Sequence, residues 1–148
     1  MTEIRFYHLQ TKTLEQALPE LLTKALASGR RIVVRTSGKA ATEALDVHLW
    51  TYRDDSFLPH GSARDGHAAR QPVWLTEGTD NPNGADMLVL TEGAAAEGIE
   101  AFALCCDVFD GADDGAVAAA RRRWKAVKDS GHEITYWQQT EKGWEKKA

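Results

Sequence analysis

The order of predicted elements indicates an α/β fold with three layers, in which helices flank a mostly parallel sheet. Short runs rich in branched and aromatic residues alternate along the chain with segments of helical periodicity. The run Ile32-Val33-Val34 is apolar at every position, which is typical of a parallel strand buried on both faces. Strand, helix and strand in succession predict right-handed crossovers within one sheet.

Two strand and helix pairs are predicted in the first half of the chain. Apolar residues recur at helical spacing from Leu14 to Leu26, and Gly29 ends the run. Pro19 lacks a backbone donor, so we expect either a kink there or a regular helix that begins near it. Ser37 is suited to cap the second helix. The predicted elements are a strand at 4–9, a helix at 14–26, a strand at 31–35 and a helix at 37–50.

The second half begins with a long polar segment. Residues 54–71 are rich in Gly, Ser, His and Asp, which predicts a loop, and long loops in compact domains tend to be functional. Residues 1–137 are expected to form a single α/β domain, and the polar residues 138–148 a tail that frays. Further strands are predicted at 73–75, 87–90, 102–109 and 134–137, and a third helix at 116–128.

Composition indicates a soluble globular protein of the cytoplasm. The chain has 148 residues, 43% hydrophobic and 27% charged, and no apolar run of membrane-spanning length. It lacks a signal-peptide pattern, and Cys105 and Cys106 would point to opposite faces of a strand, so we expect no disulfide. The formal net charge of -4 argues against a protein that coats duplex DNA through general electrostatics.

Positive charge is concentrated in the third helix. Its alanines and long basic side chains are strong helix formers, Asp113 and Asp114 suit a helix N-terminus, and Gly131 suits its end. Spacings of three, four and seven residues place four side chains on one face, namely Arg121, Trp124, Lys125 and Lys128. This face suits a phosphodiester strand or an acidic peptide that ends in an aromatic residue. The alternative is a solvated basic face whose Trp124 packs against the core.

The sequence contains no complete catalytic motif. Gly38-Lys39 lies where a phosphate-binding loop would lie, but the upstream glycine is missing and Ala40 stands where magnesium needs Ser or Thr. No nucleophile-elbow glycines surround Ser56 or Cys105, and the histidines lack the spacing of a metal site. We therefore expect no catalytic residue, no metal, no cofactor, no small-molecule substrate and no ATP hydrolysis.

Several segments together resemble one protein family. They are Phe6-Tyr7-His8-Leu9, Leu49-Trp50, Ser56-Phe57-Leu58-Pro59-His60 and Arg121-Arg122-Arg123-Trp124-Lys125. This arrangement resembles the chi subunit of the bacterial DNA polymerase III clamp-loader complex. The resemblance implies a Rossmann-like fold, similar to nucleotide-binding helicase domains but without a phosphate-binding loop. It also implies two partners: the psi subunit of the clamp loader, and the acidic C-terminal tail of single-stranded-DNA-binding protein.

The resemblance also assigns residues to each partner. It implies that the acidic tail binds at Trp50, Arg121, Trp124 and Lys125, together with Lys128. It implies that psi contacts Phe57, Leu58, Pro59 and His60. Val117 stands where a basic residue of the tail pocket is expected, so Arg122 or Lys128 would have to compensate.

The expected function is that of a non-catalytic subunit of DNA polymerase III holoenzyme, a DNA-directed DNA polymerase. It would couple the clamp loader to protein-coated single-stranded DNA and so contact the DNA only indirectly. One alternative is direct binding of single-stranded nucleic acid by the same basic face, which the net acidity disfavours. The other is a degenerate nucleotide-binding enzyme, which the incomplete motif at Gly38-Lys39 disfavours.

Overall fold

The protein contains one large, mostly parallel sheet. The computed structural model describes residues 2–51, 59–63, 66–91, 94 and 96–147. The elements in chain order are β1 (Glu3–Leu9), α1 (Leu14–Ala27), β2 (Ile32–Arg35), α2 (Lys39–Thr51), β3 (Gly61–Ser62), β4 (Val73–Thr76), β5 (Met87–Leu90), β6 (Leu104–Asp110), α3 (Asp114–Asp129), β7 (Glu133–Thr140) and β8 (Gly143–Lys146). Within these ranges the strand order is β3-β4-β2-β5-β6-β1-β7-β8. Only the pairing of β7 with β8 is antiparallel.

Helices cover both faces of this sheet. Successive side chains of β1 alternate between two apolar clusters, because strand side chains point to opposite faces in turn. Ile4 and Phe6 pack in the cluster that includes Ala120 of α3, whereas Tyr7 and Leu9 pack in the cluster formed with α1 and α2. The predicted three-layer α/β fold is confirmed. Among the helices in the described ranges, none is long and apolar enough to cross a lipid bilayer.

The helix α1 runs through Pro19 without a break. It begins with a capping box in which Thr13 and Gln16 exchange hydrogen bonds, and it continues to Ala27. Proline cannot donate to the carbonyl oxygen four residues earlier, which belongs to Glu15. The Nε2 atom of His48 on α2 lies 2.5 Å from this oxygen and donates to it. A neighbouring helix therefore replaces the hydrogen bond that Pro19 removes.

Two sequence predictions are wrong at element boundaries. The helix α2 begins at Lys39, and its first backbone bond runs from the Thr42 N–H to the Gly38 oxygen at 3.0 Å, so Ser37 is not the cap. The segment 138–148, expected to fray, forms the end of β7 and then β8 over the residues described. A hairpin therefore extends the sheet at this edge. Trp144 of β8 packs against Tyr7 of β1, with the centroids of the two rings 4.9 Å apart.

Candidate functional site

The helix α3 is anchored to the sheet by one apolar stripe. Asp113 caps its N-terminus by accepting from the backbone N–H groups of Gly115 and Ala116 at 2.9 and 3.1 Å. Ala120 is buried, and three further side chains pack partly against the same cluster, namely Val117, Trp124 and Val127. Their spacing of three to four residues is that of one helix face. Trp124 therefore marks the boundary between the buried stripe and the exposed basic surface.

The three consecutive arginines of α3 do not share one environment. Arg121 and Arg122 are exposed, whereas Arg123 is half-buried and turns toward β6. The Arg123 Nε and Nη2 atoms donate to the two carboxylate oxygens of Asp107 at 2.5 and 2.9 Å. Burial raises the pKa of the Asp107 carboxyl, and the guanidinium of Arg123 opposes that rise. Arg123 is therefore held against the sheet, and among the described residues the other cations of α3 make no ion pair.

An aromatic cluster lies beside the exposed Arg121. The Trp124 ring meets the edges of Phe6 and Tyr136 at centroid distances of 5.5 and 5.7 Å. The Tyr136 hydroxyl and the Nδ1 atom of His8 are 2.6 Å apart and share a hydrogen bond. The His8 ring packs in turn on Phe109 at 5.1 Å. These edge-on contacts fix the rings and leave part of Trp124 and Tyr136 uncovered.

An open groove of about 560 Å³ runs over this cluster. Its lining residues are His8, Arg121, Trp124, Tyr136, Gln138 and Lys147. The sequence prediction contains Arg121 and Trp124 and misses the other four. Two of the four could have been predicted together from strand alternation, because the parallel pairing of β1 with β7 places His8 beside Gln138.

A glycine in the β6–α3 connection makes room for His8. A Cβ atom on Gly111 would lie 2.2 Å from the His8 ring and 2.3 Å from the carbonyl oxygen of Leu9. The Gly111 N–H also donates to that oxygen at 2.8 Å. The connection therefore needs a residue without a side chain because its backbone passes directly against β1.

The charge of Arg121 acts on the groove. Burial and then the Arg121 guanidinium lower the pKa of His8, while Asp110 opposes this shift. Burial raises the pKa of the Tyr136 hydroxyl, and Arg121 opposes that rise. At neutral pH the His8 ring is therefore uncharged and Tyr136 is a neutral phenol. The groove is a partly apolar surface with cations at its border.

The described residues near the groove offer no activated nucleophile. Cys105 and Cys106 are both buried, and burial raises the pKa of both thiols, that of Cys106 to about 12. A thiol with such a pKa does not form the reactive thiolate at neutral pH. Within the described ranges, no three His, Cys, Asp or Glu side chains are grouped as metal ligands.

The structure separates Trp50 from the other residues predicted for the acidic tail. Trp50 lies near the end of α2, and α2 packs with α1 on the face of the sheet opposite α3. Its ring contacts that of His60 at 4.4 Å, next to β3 at the far edge of the sheet. Arg121 and Trp124 share the groove. Lys125 and Lys128 are exposed on α3 and do not line it.

Of the residues predicted to contact psi, His60 lies against Trp50. Phe57 and Leu58 are outside the residues that the structure describes. Pro59 is half-buried, and the His60 side chain is buried with its Nε2 atom 3.1 Å from the Asp46 carbonyl oxygen. His60 therefore supports the exposed Trp50 from below, and its own ring is not available at the surface.

Comparison with known proteins assigns the chain to a family. The model of the family described as "DNA polymerase III chi subunit, HolC" matches residues 1–135. The DNA polymerase III subunit chi of Escherichia coli (strain K12) is 26% identical over 144 residues, which are 90% of this chain and 96% of that protein.

Two further relatives match over shorter regions. The "Probable DNA polymerase III subunit chi" of Rickettsia prowazekii (strain Madrid E) is 34% identical over 90 residues, or 61% of this chain. The subunit chi of Pseudomonas aeruginosa is 29% identical over 92 residues, or 60% of this chain. The chain spans 54% and 63% of the lengths of these two proteins. Because the family match includes all three described α-helices and strands β1 to β6, the chain belongs to the DNA polymerase III chi subunit family.

Proposed function

We propose that this chi-family protein is a non-catalytic bridge that binds two proteins through opposite faces of its sheet. One partner is the acidic C-terminal tail of single-stranded-DNA-binding protein, at the groove beside α3. The other is the psi subunit of the clamp loader, at the end of α2 and the residues that follow it in the chain. The observation that carries the proposal is an exposed Arg121 at the border of an open aromatic groove.

The groove suits a peptide that is both anionic and aromatic at its end. The guanidinium of Arg121 can donate two parallel hydrogen bonds to a carboxylate, which favours a chain-terminal carboxylate or an aspartate. Trp124 and Tyr136 present ring surface that is partly uncovered, where an aromatic side chain can be buried. An ordinary cationic surface offers the charge without this apolar slot.

The remaining cations of α3 extend this surface along the helix. Lys125 and Lys128 follow Arg121 at spacings of four and seven residues and are exposed. We expect them to meet aspartates that precede the terminal residue of the tail. Arg123 is excluded from this role because its Nε and Nη2 atoms already donate to the buried Asp107 carboxylate.

The proposed psi surface is apolar. On α2 the exposed large side chains are Val47 and Trp50, with 54% and 46% of their surfaces accessible, and they are one helical turn apart. Exposed apolar surface of this kind is typical of a protein contact. The family resemblance adds Phe57, Leu58 and Pro59, which follow Trp50 in the chain. We therefore assign Trp50 to the psi surface and keep His60 as its support.

Variants at the two surfaces test whether each surface binds its own partner. Wild-type protein is mixed with psi and with single-stranded-DNA-binding protein, separately and together, and the complexes are separated by size-exclusion chromatography. We expect a ternary complex. Arg121→Ala should lose the single-stranded-DNA-binding protein and keep psi, while Trp50→Ala should show the reverse. If Trp50→Ala releases the single-stranded-DNA-binding protein instead, the assignment of the two faces is wrong.

Direct binding of bare single-stranded DNA is the second candidate, because exposed cations beside aromatic rings also suit bases and phosphates. The net charge of -4 works against it. The two candidates differ in what they require of the ligand. A tail-binding groove needs a terminal carboxylate and a ring, whereas a strand-binding groove needs a row of phosphates.

A further inference from the structure

The β7–β8 hairpin lies almost entirely beyond the region matched by the family, which ends at residue 135. Its two strands pair with Gln138 opposite Glu145 and with Gln139 opposite Trp144. The pairing continues past the end of β8, because the backbone N–H of Lys147 donates to the Tyr136 carbonyl oxygen at 2.7 Å. The backbone of Lys147 is therefore fixed directly beside an aromatic residue of the groove.

Alternation along β8 decides which side chains reach the groove. Trp144 faces the side of α1, where its ring packs on Tyr7. Glu145 lies opposite Gln138, which lines the groove, and Lys147 has the same parity and lines it too. Lys146 is two residues from Trp144 along the strand, so its side chain points to the same face as Trp144, away from the groove. The hairpin thus offers two adjacent lysines that differ in the face they serve.

The ion pairing of Lys147 is weak enough to be replaced by a ligand. Its Nζ atom lies 3.2 Å from Glu145 Oε1, and both side chains are strongly exposed, at 44% and 58%. Exposed pairs of this kind contribute little, because water and salt screen them. Arg121 makes no ion pair within the described part of the chain, so a bound carboxylate would find two available cations at this groove.

The two cations come from different elements. Arg121 stands on α3 and Lys147 follows β8, and both border the uncovered rings of Trp124 and Tyr136. On the helix, the position one turn before Arg121 is Val117, which packs toward the sheet and brings no charge. The family resemblance predicts a basic residue at the position of Val117.

We propose that Lys147 is the second cation of the tail-binding groove and supplies from the hairpin the charge that Val117 lacks. This inference rests on the proposed function of the groove. The ligand would place one carboxylate at Arg121 and another at Lys147, with its aromatic end between them on Trp124 and Tyr136. The hairpin is then a binding element that this chain adds to the matched region.

Isothermal titration of an acidic peptide ending in proline and phenylalanine tests the proposal on the full chain. Lys147→Ala should weaken the peptide by about twofold to fivefold, as expected for one partly exposed charge pair. Lys146→Ala is the matched control and should leave the affinity unchanged, since it removes the same charge from the other face. Lys147→Arg should restore wild-type affinity. Glu145→Gln should tighten binding, because it removes the anion that competes for Lys147.

Two patterns of results would overturn the inference and are distinguishable. If the wild type binds and Arg121→Ala does not, but Lys147→Ala behaves like Lys146→Ala, only the role of Lys147 is wrong. If the wild type does not bind the peptide, the proposed function fails and this inference fails with it. Melting curves of each variant must match the wild type, which separates loss of charge from loss of the hairpin.

Discussion

Arg123 and Asp107 join the basic helix to the sheet through two hydrogen bonds, from Nε to Oδ2 at 2.5 Å and from Nη2 to Oδ1 at 2.9 Å. Asp107 is buried, with only 3% of its surface accessible. The pair therefore fixes how α3 sits on β6, and it leaves Arg121 and Arg122 facing outward. One arginine of the three holds the helix in place and its neighbours are free to bind.

Arg123→Ala should destabilise the fold by about 2–3 kcal/mol at pH 7, because it leaves a buried carboxylate without its partner. Arg122→Ala removes the same charge from the exposed face and should change stability by less than about 0.5 kcal/mol. Urea unfolding of both variants makes the comparison. Equal stability of the two would mean that the Asp107 pair contributes nothing.

The loss in Arg123→Ala should shrink in acid. Burial raises the pKa of Asp107 above its unfolded value, and removing Arg123 raises it further. In the variant, Asp107 then takes up a proton more readily in the folded than in the unfolded state. The loss of stability caused by Arg123→Ala therefore becomes smaller as the pH drops through the pKa of Asp107 in the folded state. Unfolding measured from pH 7 down to pH 4.5 reports this. A penalty that stays constant over the range contradicts it.

Gly111→Ala should destabilise the protein by about 1–3 kcal/mol, because the new Cβ atom overlaps both the His8 ring and the backbone of Leu9. The displaced His8 would also lose its hydrogen bond to Tyr136 and disturb the groove. Gly38→Ala is the control, since nothing lies within 4 Å of its Cβ position. Thermal melting of both variants provides the check, and a wild-type melting curve for Gly111→Ala would show that the close approach is absent.

Binding of an acidic peptide should strengthen as the pH falls below neutrality. The pKa of His8 is lowered, so the ring is uncharged at pH 7 and gains its proton only below the ordinary value of about 6.5. The added charge attracts carboxylates, which remain ionised above about pH 5. Titrations at pH 7.5 and 5.5 should differ, with less difference in His8→Gln. If His8→Gln shows the same pH dependence of peptide binding as the wild type, a group other than His8 is responsible.

Protonation of His8 should also cost stability. A group whose pKa is depressed on folding binds fewer protons folded than unfolded, so its contribution is full above pH 6.5 and is lost as the pH falls through the folded pKa. The free protein should therefore unfold more easily near pH 5.5, and bound peptide should offset this. His8→Gln should remove that part of the pH dependence.

His48→Ala should cost about 1 kcal/mol, because the Glu15 carbonyl oxygen loses the donor that replaces the one missing at Pro19. A double-mutant cycle isolates the effect. In the background Pro19→Ala the helix supplies its own N–H to Glu15, so His48→Ala should then cost less. If the two losses simply add, His48 does not act through this carbonyl.

Local patterns in the sequence were sufficient to predict most of the fold. Alternating and continuous apolar runs placed β1, β2 and β4 to β6, because each buries a regular set of side chains. A strand was predicted at 134–137, but the second half of β7 and all of β8 were missed, because their residues are largely polar and half-buried or exposed. Its order comes from cross-strand pairing and from the contact of Trp144 with Tyr7, and neither leaves a periodic signal.

Only two of the six residues that line the groove, Arg121 and Trp124, were predicted from the sequence, for a related reason. Helical spacing groups Arg121 with Trp124, but the second wall of the groove comes from strands that are distant along the chain. Trp50 was grouped with them through the family resemblance. No local pattern tells which face of a sheet a helix covers, so the separation of α2 from α3 became visible only in the structure.

The most direct test of the central claim is a salt titration with two ligands on the same protein, an acidic peptide ending in proline and phenylalanine and a bare single-stranded oligonucleotide. We predict that the peptide binds, that salt weakens it only moderately because an apolar anchor shares the binding, and that the oligonucleotide binds much more weakly. Arg121→Ala should weaken the peptide by about tenfold to a hundredfold with an unchanged melting curve. Tight and steeply salt-dependent binding of the oligonucleotide, together with indifference to the peptide, would contradict the account.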